Sequence, residues 1–331
     1  MTGHRGGESN RPLISIVVPC FNEQDVLRLT HQSLIKSLGG ERNFDLEVVY
    51  VDDGSTDSTL EIIDEFINSD GRVVAVTLTR NFGHQAAVTA GLQYATGAAV
   101  VIIDADLQDP PEVILAMIDK WKAGYEVVYG IRERRQEGRA KRLAYFTFYR
   151  LLRKLAHIDI PEDSGDFALL DRVAVNALNA LPERNRFMRG LRAWVGFKRI
   201  GIHYDRPQRA AGQSKYSMLK LMKLGLDGIF SFSSKPLSMI LLVGVISSVV
   251  SMLGFVLFLI WSLTDIKIFG RTPADAPGFT TIVLLLFFLS SMQLLSVGII
   301  GEYIGRIFDE TKNRPTFLTR PVRRSTKSGD E

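Results

Sequence analysis

AAVVIIDADLQDPPE, residues 98–112, decides how the rest of the chain is read. Apolar residues Ala98–Ile103 run unbroken into a pair of aspartates, Asp104 and Asp106. A short Val/Ile-rich run that ends in turn residues has the length and composition of a strand buried on both faces. The same reading fits Ile14–Pro19, Leu46–Val51, Val73–Leu78 and Glu126–Tyr129. Helix-length periodic stretches separate these runs: Glu23–Leu38, Ser58–Ile67, His84–Tyr94 and Pro111–Lys122. Strands alternating with helices predict an α/β fold, Rossmann-like, with a mostly parallel sheet covered on both faces.

Such a sheet binds ligands outside the carboxyl ends of its strands. The residues that follow the first four strands are Pro19-Cys20-Phe21-Asn22-Glu23, Asp52-Asp53-Gly54-Ser55, Arg80-Asn81-Phe82-Gly83 and Asp104-Ala105-Asp106-Leu107-Gln108-Asp109. Polar and acidic groups therefore gather at one edge, which predicts a site there. In an extended segment Asp104 and Asp106 project to the same side. Two such carboxylates can hold a hard divalent cation that also bridges a diphosphate. No GxGxxG follows the first strand and no GxxxxGK[ST] occurs. Dinucleotide hydride chemistry and P-loop phosphate binding thus lose support.

The 331 residues carry a formal net charge of +4 and one cysteine, Cys20, so no disulfide framework forms within the chain. Residues 1–12 have no apolar core of a signal peptide and read as a disordered leader. From Arg132 to Lys154 there are nine Lys/Arg against two Glu. Such a patch could bind nucleic acid, but that reading leaves the aspartate pair and the apolar C-terminal third unexplained, and no nucleic-acid partner is expected. Residues 166–207 return to a mixed pattern that contains Asp166, Arg189, Arg192 and Trp194. Residues 211–235 read as a basic amphipathic interfacial helix. Segments 236–264 and 277–301 are uncharged over 29 and 25 residues, enough to cross a hydrocarbon core that takes about 20. The tail 302–331 is basic and belongs on the cytoplasmic side. Two spans then place the 13–210 domain on that side and the 265–276 loop on the other. Gly244, Gly254, Gly298 and Gly301 would let span helices pack closely, which favours a homo-oligomer, with a tetramer among its forms.

The segments VVPCFNE (17–23), VDDGSTDST (51–59), RNFGHQAA (80–87), DADLQDPPE (104–112), SGDFALLDR (164–172) and GQSKYS (212–217) resemble the family 2 glycosyltransferases of the GT-A fold. More narrowly they resemble the polyisoprenyl-phosphate branch, which includes bactoprenol glucosyltransferase and dolichol-phosphate mannose synthase. The resemblance runs from about residue 13 to 310. It implies an inverting, metal-dependent enzyme on the cytoplasmic face of the inner (plasma) membrane, with several membrane passes. Pro19, Phe21, Glu23, Asp53 and Asp104 would hold the nucleotide. Asp104, Asp106 and Gln108 would hold Mg²⁺ or Mn²⁺. Asp166 matches the acidic residue that the family assigns to catalysis near the acceptor. UDP-glucose is the donor implied by the bactoprenol branch and undecaprenyl phosphate the acceptor; GDP-mannose is the alternative donor. A processive polysaccharide synthase would carry Q-x-x-R-W, and here the nearest stretch is Arg192-Ala193-Trp194.

An anionic acceptor needs cations, and arginine matches phosphate through its planar fork. Arg132 and Arg142, then Arg139, are the expected contacts. The second pKa of a phosphate monoester is about 6, so the acceptor is largely ionised at neutral pH. Asp166 then either orients the donor sugar or takes a residual proton. His84 either faces the diphosphate or is an ordinary surface or core histidine.

Overall fold

The computed structural model describes residues 11–40, 43–132, 164–184, 186–205, part of 240–260, and 278–325. Two compact units divide the chain: Met1–Ser231 together with Arg314–Glu331, and Phe232–Asn313.

The first unit opens with β1 (Leu13–Cys20), α1 (Leu27–Leu38), β2 (Asp45–Asp52), α2 (Thr59–Ser69), β3 (Val73–Thr77), α3 (His84–Tyr94), β4 (Ala99–Ile102), α4 (Val113–Lys122) and β5 (Val127–Arg132). It continues with β6 (Ser164–Asp171), α5 (Arg172–Ala180), α6 (Met188–Trp194), β7 (Arg199–Tyr204) and, from the C-terminal segment, β8 (Arg323–Arg324). The strands form one sheet in the order β7-β5-β6-β4-β1-β2-β3-β8. The pairs β1–β2, β1–β4, β2–β3 and β5–β7 are parallel, whereas β6 runs antiparallel between β4 and β5. The five predicted strands and four predicted helices are all present.

Every residue of β1 after Leu13 is buried, as a strand covered on both faces requires. Ile14, Ile16 and Val18 join the core cluster with Leu27, Leu34 and Leu38 of α1, Ile62, Ile63 and Phe66 of α2, and Ile114, Met117 and Ile118 of α4. These helix positions recur at three- and four-residue spacing, the signature of one apolar stripe. The alternate face of the sheet presents Val17 to Gly91 of α3. Asp171 caps α5: its carboxylate accepts from the Val173 amide at 2.8 Å, an N-cap bond.

Several strands lie where the sequence pattern gave no sign. β6 separates β5 from β4. The C-terminal segment, expected as a plain basic tail, runs along the edge of β3. The Thr79 amide donates to the Leu318 carbonyl at 2.9 Å and the Arg320 amide to the Thr77 carbonyl at 2.8 Å. Arg324 pairs at 3.1 Å with Glu47, which is buried, and Arg323 pairs with Asp64.

In the second unit one helix, α7, runs 34 residues from Gly278 to Thr311, past the expected limit at 301. Val249, Leu253 and Leu257, and Leu285, Leu294 and Val297, are exposed. Among the described residues no helix is long and apolar enough to cross a membrane; the side chains of α7 are described only in part. The expected interfacial helix at 211–235, the 265–276 loop, most of 236–264, and Arg139 and Arg142 lie outside the described residues.

Candidate active site

The loops after β1 and β2 are laced together. The Asn22 amide donates to Ser55 Oγ at 3.0 Å, the Thr56 amide donates to Asn22 Oδ1 at 2.8 Å, and the Glu23 amide donates to Thr59 Oγ1 at 2.8 Å. Asn22 reaches the left-handed region, with φ 53°, to do so. Pro19 is buried in β1, Glu23 is half-buried and the Phe21 ring is exposed. Asp53 is buried, and its two oxygens accept from the amides of Phe82 at 2.7 Å and Gly83 at 2.9 Å. Burial raises its carboxyl against the pull of those two amides. Asp53 therefore fixes the 80–83 loop at the mouth of α3; each of its oxygens keeps a second lone pair.

The aspartate pair is not extended, contrary to expectation. Residues 105–107 turn, with Leu107 at φ 57°. Two contacts impose the turn. Asp106 Oδ1 accepts from the Gln108 amide at 3.1 Å, and the carbonyl of buried Ala105 accepts from the Thr30 hydroxyl at 2.6 Å. Asp104, Asp106 and Gln108 are all half-buried in this turn.

Asp166, near the start of β6, is buried, and four side chains converge around it. Arg189 Nε donates to Oδ1 at 2.9 Å, and Gln85 Nε2 donates to Oδ2 at 3.3 Å. His84 Nε2 lies 3.3 Å from Oδ2, and the same nitrogen lies 3.8 Å from Asp104 Oδ1. Arg192, one turn beyond Arg189 on α6, donates to the carbonyls of Gly165 at 3.1 Å and Asp166 at 3.4 Å. Gln85 also accepts the Met188 amide at 2.9 Å, which ties α3 to the start of α6. Burial alone would raise the Asp166 carboxyl, but Arg189 and His84 outweigh it and hold it well below the usual carboxylate range. Burial pulls the His84 imidazole down; Asp166 and Asp104 overcome this and push it up to about 9. Burial lowers the Arg192 guanidinium to about 10.

Two sequence-predicted positions, Asp104 and Asp166, are thus joined through His84, one of whose two sequence readings faced the site. Gln85 and the bonding of Arg189 and Arg192 were missed. The usable signal was the three-residue spacing of the two arginines, which puts them on one helix face. Arg132 ends β5, with its Nε donating to the Tyr204 hydroxyl at 3.2 Å.

The described residues hold no group of three or more His, Cys, Asp or Glu side chains fit for a metal ion. Two half-buried carboxylates on one turn fit a Mg²⁺-type ion that takes its remaining ligands from water and substrate phosphates.

The model of glycosyl transferase family 2 matches residues 15–178. The chain is 45% identical over 307 residues to the uncharacterized glycosyltransferase YkcC of Bacillus subtilis, covering 92% of this chain and 93% of that one. It is 39% identical to the prophage bactoprenol glucosyl transferase homolog of Escherichia coli K12, over 94% and 99% of the two chains. With the bactoprenol glucosyl transferase of Shigella phage SfX it shares 40% identity over 93% and 98%. The α/β sheet, GT-A-like and mostly parallel, and the site at its carboxyl edge are those of a glycosyltransferase. The chain belongs to glycosyltransferase family 2 and is an enzyme of that class.

Proposed function

We propose that the protein transfers glucose from UDP-glucose to a polyisoprenyl phosphate, undecaprenyl phosphate in a bacterium, at the cytoplasmic face of the inner membrane. The observation that carries this reading is the contact of one histidine with both Asp104 and Asp166. A donor-side carboxylate and a buried carboxylate beside two arginines meet at one point of the sheet edge. Similarity over nearly the whole length of two chains named for bactoprenol glucosyl transfer supports the acceptor class.

Phe21 offers an exposed ring for the base, and Pro19 near the end of β1, with Glu23 and Asp53 in the loops after β1 and β2, would complete the nucleotide site. Asp104 and Asp106, with the Gln108 amide oxygen, would hold Mg²⁺ or Mn²⁺. When bound, that ion supplies neutralising charge for the departing diphosphate. Arg132, with Arg139 and Arg142 on the undescribed stretch, would take the acceptor phosphate. Asp166 stays ionised and is a poor proton acceptor, which suits an acceptor oxygen that has already lost its proton. Its part is to hold Arg189 and His84 in place and to orient the donor sugar. Displacement by the phosphate oxygen at the anomeric carbon inverts configuration.

The uncharged segments 236–264 and 277–301 supply the anchor, 211–235 lies at the interface, and the exposed Leu253, Leu257, Leu285 and Leu294 suit a lipid surrounding. Close packing through the span glycines favours a homo-oligomer.

The test is incorporation of label from a panel of radiolabelled nucleotide-sugars into undecaprenyl phosphate by the purified protein. UDP-glucose should label the lipid phase, EDTA should stop it, and Asp106→Ala should abolish transfer in a protein that still folds and inserts. Full activity in Asp106→Ala would refute the metal assignment; label from GDP-mannose alone would replace the donor.

A further inference from the structure

A second buried polar group stands at the ends of β5 and β7. Asp109 has no exposed surface and Tyr204 is buried. The Tyr204 hydroxyl donates to Asp109 Oδ1 and accepts from Arg132 Nε at 3.2 Å. Arg132 Nη2 lies 3.6 Å from the same Asp109 oxygen. Arg132 and Tyr204 are partners in register across the two parallel strands. The hydroxyl thus sits between a carboxylate from the aspartate turn and a guanidinium from the strand that leads into the basic block.

Two glycines make room for this arrangement. A Cβ on Gly130 would fall 2.6 Å from the Tyr204 ring, and one on Gly165 would fall 2.7 Å from Arg132 Nη2. Glycine inside a strand marks such close approaches. At Gly130 the β5–β6 register also shifts, which re-aims the end of β5. The Arg132 guanidinium consequently lies over Gly165, the residue before Asp166. The Tyr204 ring is braced edge-on by Phe167 with centroids 5.6 Å apart.

Burial works against the charge on Arg132, and Asp109 and Tyr204 more than restore it. Burial pushes the Tyr204 hydroxyl well up, so it stays protonated and keeps its donor. A flexible cation loses side-chain entropy when it clamps an anion, and one already held in place loses less. We infer that Asp109 and Tyr204 are positioning residues that pre-orient Arg132 for the acceptor phosphate beside Asp166. This rests on the reading of a polyisoprenyl phosphate acceptor bound by Arg132.

Steady-state kinetics of the full-length protein with UDP-glucose and undecaprenyl phosphate test it. Tyr204→Phe keeps the ring and its packing and removes only the hydroxyl. The apparent KM for undecaprenyl phosphate should rise about tenfold, the effect of losing one hydrogen bond to a charged group. The KM for UDP-glucose should stay at the wild-type value. Asp109→Asn should show the same split, and Arg132→Lys a larger one. An unchanged acceptor KM in Tyr204→Phe beside a raised one in Arg132→Lys overturns the inference and leaves the acceptor reading standing. Unchanged acceptor KM in all three variants removes the acceptor role of Arg132, and the inference with it. Lower thermal stability with both KM values unchanged in Tyr204→Phe assigns the cluster a structural role and also overturns the inference.

Discussion

Asp166 is surrounded by Arg189, Gln85 and His84, all within hydrogen-bonding range of its carboxylate. The two cations hold its carboxyl far below neutrality, so Asp166 keeps its charge across the working pH range. The acid limb of the reaction then belongs to the substrate. The rate with undecaprenyl phosphate at low acceptor concentration should fall as pH drops through about 6, where the phosphate monoester dianion takes up a proton and becomes a monoanion. A pH profile of kcat/KM checks this. A limb near or below the ordinary carboxylate range would instead give Asp166 the role of base. The sequence made Asp166 visible only through the family-like stretch SGDFALLDR. It could not show the bonds from Gln85 and Arg189, because those residues sit on separate helices brought together only by the sheet. The sequence marked the aspartate pair as a candidate site but not its geometry. Asp106 bonds its own loop, and a side chain competing for a backbone amide overrides the two-residue alternation of a strand.

Among the elements, β1 to β5 were readable because strands buried on both faces must be apolar throughout. β6 begins with Ser164, Gly165 and Asp166, and β7 mixes Arg199 and His203 with apolar residues. Neither has the composition of a central strand, and an antiparallel insertion leaves no local mark. β8 is two arginines long, and its pairing with β3 depends on partners far away in the chain. Its anchor is Glu47, which is buried and also accepts the Thr96 amide and hydroxyl, each at 2.9 Å. Arg324→Ala should lower stability by about 1 kcal/mol, since Arg324 is half-exposed and its pairing is screened. Deleting residues 314–331 should cost several times as much, because it also strips the backbone bonds from β3. Denaturant melts of the two variants measure the difference. Equal melts would mean that the segment contributes nothing beyond one ion pair.

At the scale of the whole molecule, the chain leaves the first unit after Ser231 and rejoins it at Arg314. A polypeptide that departs from and returns to one side of a membrane crosses it an even number of times. The two proposed spans would meet that condition whatever the charge of the tail. In a Cys20→Ala background, a membrane-impermeant maleimide applied to intact cells should label Gly270→Cys and not Ser328→Cys. Inverted vesicles should give the reverse pattern. Labelling of both from outside would place the two ends of the unit on opposite faces. The two proposed spans rest on composition alone, an uncharged run being a property of the sequence and not of the fold. The return of the tail was not, because it is a matter of topology.

The late arrival of β8 also bears on biogenesis. Synthesis proceeds at about 5–20 residues per second, so on the order of tens of seconds separate the emergence of β3 from that of Arg324. During that interval the nascent sheet shows an open edge, a template for pairing with other chains. The edge closes only after the intervening hydrophobic segments have left the ribosome. Insertion of those segments as the proposed spans would prolong the time in which this edge stays open, so the aggregation risk of the sheet would be timed by the membrane rather than by the sheet itself.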